Sequence, residues 1–116
     1  MEQIREDEEI LLLSLKDPSY FSVIIDRYEG SFLKVAFGIV RSRQEAEDIV
    51  QETFTKIYVN GARFKKQPDA RFKSWAYKIL MNTAFTHYQK LKRIGGKTEY
   101  LDTVFYDEEG EGIVGE

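Results

Sequence analysis

The sequence predicts an all-α fold, a compact bundle of four to five helices followed by a disordered acidic C-terminal tail. Three observations carry that reading. Every long segment has helical hydrophobic spacing, only two prolines (Pro18 and Pro68) interrupt 116 residues, and no alternating apolar–polar run is long enough for a useful strand. The length suits one domain, which the charge pattern places at residues 1–97, with 98–116 as the tail.

The elements follow in order. Residues 5–16 predict a first helix whose opening turn is acidic, as the helix dipole favours. Asp17-Pro18 reads as N-cap and first position of a second helix through Phe21, Ile24, Ile25 and Tyr28, with Gly30 as its stop. A third helix carries Phe32, Leu33, Val35, Ala36, Phe37, Ile39 and Val40; apolar nearly all round, it should lie centrally. Ser42-Arg43-Gln44-Glu45 has the capping-box pattern and opens a fourth helix to about Asn60, closed by Gly61. Its inward stripe is Ala46, Ile49, Val50, Thr53, Phe54, Ile57 and Tyr58. Residues 62–70 read as a basic loop containing Phe64 and Pro68. The fifth helix starts near Asp69 or Ala70 and runs to about Arg93, roughly 35 Å at 1.5 Å per residue. Gly95-Gly96 ends it.

Composition excludes several classes of function. There is no cysteine, hence no disulfide and no thiolate metal site, and one histidine, His87, cannot form a His–His metal pair. No glycine-rich phosphate loop is present. The expectation is a protein that is not an enzyme and holds no cofactor and no metal. No apolar run approaches the ~18–20 residues of a membrane span, and the acidic start, Met1-Glu2-Gln3-Ile4-Arg5-Glu6-Asp7, is unlike a signal peptide. A soluble cytoplasmic protein is expected.

The net charge of −3 conceals a sorted pattern. Residues 1–60 carry 7 Lys+Arg and 12 Asp+Glu; residues 61–97 carry 10 Lys+Arg and only Asp69; residues 98–116 carry 7 acids and no base. A block of net charge +9 predicts a polyanionic partner, most simply nucleic acid.

Two constellations stand out. On the fourth helix Glu45, Asp48, Gln51, Glu52 and Thr55 recur at i, i+3 and i+4 and form an acidic strip opposite the apolar one. Carboxylates accept bidentate guanidinium contacts, so the strip reads either as a docking ridge or as a plain solvent face. In the loop and fifth helix, Phe64, Phe72, Trp75, Tyr77, Phe85 and Tyr88 are interleaved with Arg63, Lys65, Lys66, Arg71, Lys73, Lys78, Lys90, Lys92 and Arg93. Cations follow a phosphate backbone, and rings give unpaired bases a surface on which to stack. One face aligns Arg71, Ser74, Lys78, Asn82, Thr86 and Gln89; the other aligns Phe72, Ala76, Ile79, Leu80 and Thr83 for the core. Phe72, Phe85 and Tyr88 suit the core better than a base, Trp75 suits either, and His87 reads as a boundary residue.

Ala46-Glu-Asp-Ile-Val50-Gln-Glu-Thr-Phe54 and Phe72-Lys-Ser-Trp75-Ala-Tyr-Lys-Ile79-Leu-Met-Asn82-Thr-Ala84, with the lead-in Leu12-Leu-Ser-Leu-Lys-Asp17-Pro18, resemble region 2 of extracytoplasmic-function (ECF) sigma factors. The resemblance covers about residues 8–93 and implies the sigma region 2 type of helical bundle. It implies that Asp48, Gln51 and Glu52 dock on the β′ clamp helices of core RNA polymerase; Glu45, on the same strip by its spacing, is a further candidate for that contact. It also implies that the loop from Phe64 to Phe72 cradles a base flipped from the non-template strand of the promoter −10 element. Trp75 and Asn82 would then contact the element, with Arg71, Lys73 and Lys78 as phosphate partners; Arg63, Lys65 and Lys66 among the interleaved cations, and Thr86 and Gln89 on the outward face, are DNA-binding candidates from the residue pattern itself. An anti-sigma protein is a further partner that the resemblance implies. Ala76 and Thr86 depart from the family's usual larger aliphatic and acidic residues, which bears on base preference at Thr86. Such factors normally continue through a linker into a −35-reading region, so the chain is expected to be either a piece of a longer factor, the simpler reading, or a naturally short relative. The function expected is binding of core polymerase and melting of the −10 element. A nucleic-acid-binding or protein-interaction module with no polymerase partner is the alternative.

Overall fold

The computed structural model describes residues 6–65 and 70–95. The acidic tail at 98–116, with its expected disorder, and Lys66 of the basic loop lie outside the described residues. The elements are α1 (Asp7–Lys16), a 3₁₀ turn (Pro18–Tyr20), α2 (Phe21–Val40), α3 (Arg43–Val59), α4 (Gly61–Lys65) and α5 (Phe72–Gly95), an all-α bundle without strands among the described residues.

Local chemistry explains the first boundaries. α1 opens on Asp7, Glu8 and Glu9 and buries Ile10, Leu11 and Ser14. The Ser14 hydroxyl is satisfied by donating to the Leu11 carbonyl at 2.7 Å. Asp17 accepts from the Ser19 amide at 3.1 Å and the Ser19 hydroxyl at 2.8 Å, so it caps the turn that Pro18 begins. That turn leads directly into α2.

The sequence reading places a helix end at Gly30; the structure runs one helix from Phe21 to Val40. Glycine in a helix costs only about 1 kcal/mol relative to alanine. Against that stand Phe21, Ile24, Tyr28, Phe32 and Ala36, buried in one stripe that keeps register through Gly30. Each large apolar side chain in such a stripe contributes about 1.5–3 kcal/mol on burial, so the stripe decides. The second half of α2 is also less central than its composition suggests: Phe37 is 42% exposed. The helix ends at Arg41, whose left-handed backbone (φ 56°) lets its N–H reach the Phe37 carbonyl at 2.8 Å.

Ser42 then caps α3, its Oγ accepting from the Glu45 amide at 3.2 Å. The predicted inward stripe is buried from Ala46 to Ile57, while Tyr58 stays 38% exposed with its edge against Phe21. Gly61 does not end the helical run. It opens α4, where the sequence reading expected loop. Its lack of a side chain serves packing: a Cβ there would lie 3.1 Å from Leu15 Cδ2 and 3.4 Å from Leu11 Cδ1.

The core is a chain of rings. Phe32 stacks on Phe54 at 5.1 Å and meets the Tyr77 edge at 5.1 Å. Tyr28 joins Phe32 to Phe72, and Phe72 joins Phe64 and Trp75. Around these rings α3 packs against both α2 and α5. Phe72, Ala76, Leu80 and Thr83 of α5 are buried as expected, with Ala84 and Tyr88 beyond them; Ile79 is half-buried.

Candidate functional site

The bundle sets two surfaces of opposite charge on neighbouring helices. On α3, the burial of Ala46, Ile49, Val50, Thr53 and Ile57 turns the opposite side outward. Asp48, Gln51, Glu52 and Thr55 are exposed and Glu45 is half-buried. Gln51 and Thr55 also border a groove of about 700 Å³ between α2 and α3, whose floor includes Leu33, Val50 and Phe54.

Two members of the strip are held from behind. His87, on α5, places Nδ1 3.2 Å from Glu45 Oε1 and Nε2 2.9 Å from Glu52 Oε1. The Lys56 ammonium lies 3.2 Å from Glu52 Oε2 and donates to Thr83 Oγ1 at 3.0 Å. The hydrogen bond from His87 and the pair with Lys56 outweigh desolvation and hold the Glu52 carboxyl below its ordinary range. Burial disfavours the charged imidazole of His87, but the hydrogen bonds and charges of Glu52 and Glu45 overcome it and raise its pKa.

The outward face of α5 is led in by Arg71, the residue just before the helix. Arg71, Ser74, Lys78, Asn82 and Thr86 are exposed and Gln89 is half-buried, so the structure brings the predicted face together. Thr86 returns its hydroxyl to the Asn82 backbone carbonyl at 3.0 Å, and Asn82 is itself exposed. Lys73 is exposed too, but at 3.6 residues per turn it lies roughly 160° around the helix from Arg71, off this face. Arg63 is exposed on α4, and nothing is described of the Lys65 side chain.

Phe64 departs most from its expected role. It is 5% exposed, with its ring 4.8 Å from the Trp75 ring, so it packs beneath the indole and offers no surface ring. Trp75, wedged between Phe64 and Phe72, is half-buried and keeps part of its indole at the surface.

The start of α5 is fixed by a residue that sequence reasoning passed over. Glu8 of α1 accepts from the Phe72 amide at 2.7 Å and from Arg71 Nε at 3.2 Å. Burial works against the Glu8 carboxylate, but these bonds outweigh it and lower its pKa. His87 and Glu8 act across helices, as does the bond from Lys56 to Thr83, so no local spacing announces these contacts, whereas the Lys56–Glu52 pair is an i, i+4 neighbour on α3. The only available signal was that His87 follows the outward positions of α5 while the strip on α3 has carboxylates two turns apart. Among the described residues no cluster of three or more His, Cys, Asp or Glu could hold a metal, and no helix is long and apolar enough to cross a membrane.

A family model described as sigma-70 region 2 matches residues 24–94. The RNA polymerase sigma-H factor of Pseudomonas aeruginosa is 34% identical over 71 residues, covering 61% of this chain and 36% of that protein. The ECF RNA polymerase sigma factor SigW of Bacillus subtilis is 31% identical over 94 residues, covering 81% of this chain and 47% of that protein. The RNA polymerase sigma factor SigV of the same species is 36% identical over 70 residues, covering 60% and 41% respectively. The chain therefore spans half or less of the length of these relatives. No solved structure matches it.

Proposed function

The chain belongs to the sigma-70 region 2 family, and from that premise we propose that it is the domain of an ECF RNA polymerase sigma factor that binds core polymerase and captures the non-template strand of the −10 element. One observation carries the reading: a single bundle exposes the Asp48–Gln51–Glu52 strip on α3 and the Lys78–Asn82 face on adjacent α5. The first suits arginines on a protein surface. The second suits a polyanion, with an amide that can both donate and accept at a base edge.

No covalent step is needed. A surface that holds unpaired strand better than duplex shifts the duplex toward the open form by that difference in affinity. A base stacked on Trp75 would supply about 1–3 kcal/mol. Lys78 and Arg71 would neutralise phosphates on either side, making capture dependent on salt. The Phe64 and Phe72 rings keep Trp75 at a fixed angle, so the platform is in place before the base arrives.

The test is capture of bacterial core polymerase by the wild-type chain beside Asp48→Arg. Asp48 is exposed, so its reversal leaves the fold intact. The variant should lose roughly 2–3 kcal/mol of polymerase affinity, the scale of a broken interfacial charge pair. It should keep its affinity for single-stranded −10 DNA. Unchanged polymerase capture would leave only a nucleic-acid-binding module.

A further inference from the structure

We propose that His87 is a positioning residue for the polymerase-facing strip, holding the Glu45 and Glu52 carboxylates in the arrangement the partner engages. The inference rests on the assignment of that strip to polymerase made above.

The geometry is specific. Glu45 and Glu52 are seven residues apart on α3, so their backbones are separated by about 10 Å along the axis. One imidazole, 18% exposed and anchored on α5, spans the gap with a ring nitrogen on each carboxylate. Only the imidazolium has N–H donors at both nitrogens. The neutral ring has one donor and one lone pair, and that lone pair would face a carboxylate oxygen. Both contacts therefore coexist only in the protonated ring, and loss of its proton releases one glutamate.

The charged groups around the ring support this. Glu45 and Glu52 face it from α3, Asp48 lies between them in sequence on the same strip, and Lys56 fixes the far oxygen of Glu52. Lys90 follows one turn further along α5. Arg41, at the end of α2, is turned over the Phe37 ring. The raised pKa of His87 has the direction that two carboxylate partners require.

A consequence for pH follows. A histidine raised on folding contributes its stabilisation fully below the ordinary value near 6.5 and loses it as pH rises through the folded value. Held carboxylates need less ordering when a partner binds, so polymerase affinity should fall over the same interval. His87 is the one histidine in the sequence, so a single imidazole resonance reports the titration.

The experiment measures core polymerase affinity of wild type, His87→Gln and Asp48→Arg from about pH 6 to about pH 8.5, across the range in which imidazole titrates. Melting temperatures and an NMR titration of the imidazole accompany it. The polymerase's own ionisations cancel in the ratio of His87→Gln to wild type. At the acid end His87→Gln should bind roughly five- to tenfold more weakly, the scale of ordering freed side chains. The gap should close as pH passes the value read by NMR. A ratio constant with pH would overturn the proposal, since that is what a merely structural role gives. So would tighter binding by His87→Gln, which would mean that the imidazole masks the strip. Should His87→Gln fail to fold, Glu45→Gln decides: it must lower the imidazole pKa and weaken binding at the acid end, and an unshifted imidazole overturns the proposal. Failure of the wider reading looks different, with Asp48→Arg binding polymerase as wild type does at every pH.

Discussion

The acidic strip of α3 and the basic face of α5 are built on opposite plans. On α3 the outer glutamates are tied down: His87 holds Glu45 and Glu52, and Lys56 holds Glu52 from its other side. Just before α5 the first cation, Arg71, is tied to Glu8, while the Lys78 and Asn82 side chains of α5 extend outward without a hydrogen bond or ion pair to another described residue. The contrast matches the proposed partners. A folded protein surface offers charges at set positions and rewards a set of carboxylates fixed in advance. A single strand varies in path, and long unpaired side chains can follow it.

The largest expected effect removes the support of one surface while sparing the other. Phe64→Ala leaves a cavity beneath Trp75 and should cost about 3–5 kcal/mol of stability, as for other buried phenylalanines. Trp75 is the one tryptophan, so its emission should shift to the red in any folded fraction. An unshifted emission would mean that Phe64 does not hold the indole. Next comes Lys78→Gln. It should weaken binding to single-stranded −10 DNA and lower the salt slope by about 0.7, the value for one lost phosphate contact on a single strand. Polymerase capture should not change, and an equal loss there would erase the distinction between the faces. The smallest effect is that of Glu8→Gln. It weakens the acceptor at the start of α5 and should cost about 1 kcal/mol, within the range for loss of a helix cap. Because the Glu8 pKa is lowered in the folded chain, its contribution is present above the ordinary carboxylate value and fades as pH falls through the folded one. Thermal melts of both proteins should converge toward acid; parallel curves would discount the bond.

Much of the α3 strip was legible because it is local: Ser42 and Glu45 mark the start, and stripe and strip follow from helical spacing. The outward face of α5 could be read in the same way. Three features could not. Gly30 is a stop by propensity, yet its neighbours Tyr28 and Phe32 are held by rings from other helices. Phe64 sits among lysines and arginines in sequence, while its burial depends on Phe72 and Trp75 of another helix. His87 looked unremarkable because its partners lie 42 and 35 residues away. Each miss is a contact between different helices overriding a local pattern.

The bond that the Phe72 amide donates to the Glu8 carboxylate spans 64 residues. The opening of the longest helix is thus completed by the first helix, at the far end of the bundle's chain. A chain cut just after Glu8 would leave that amide bare, and α5 would fray from its beginning. Closing so wide a loop is entropically costly before it is rewarded. The two helices should therefore gain their protection from hydrogen exchange together, as one cooperative unit.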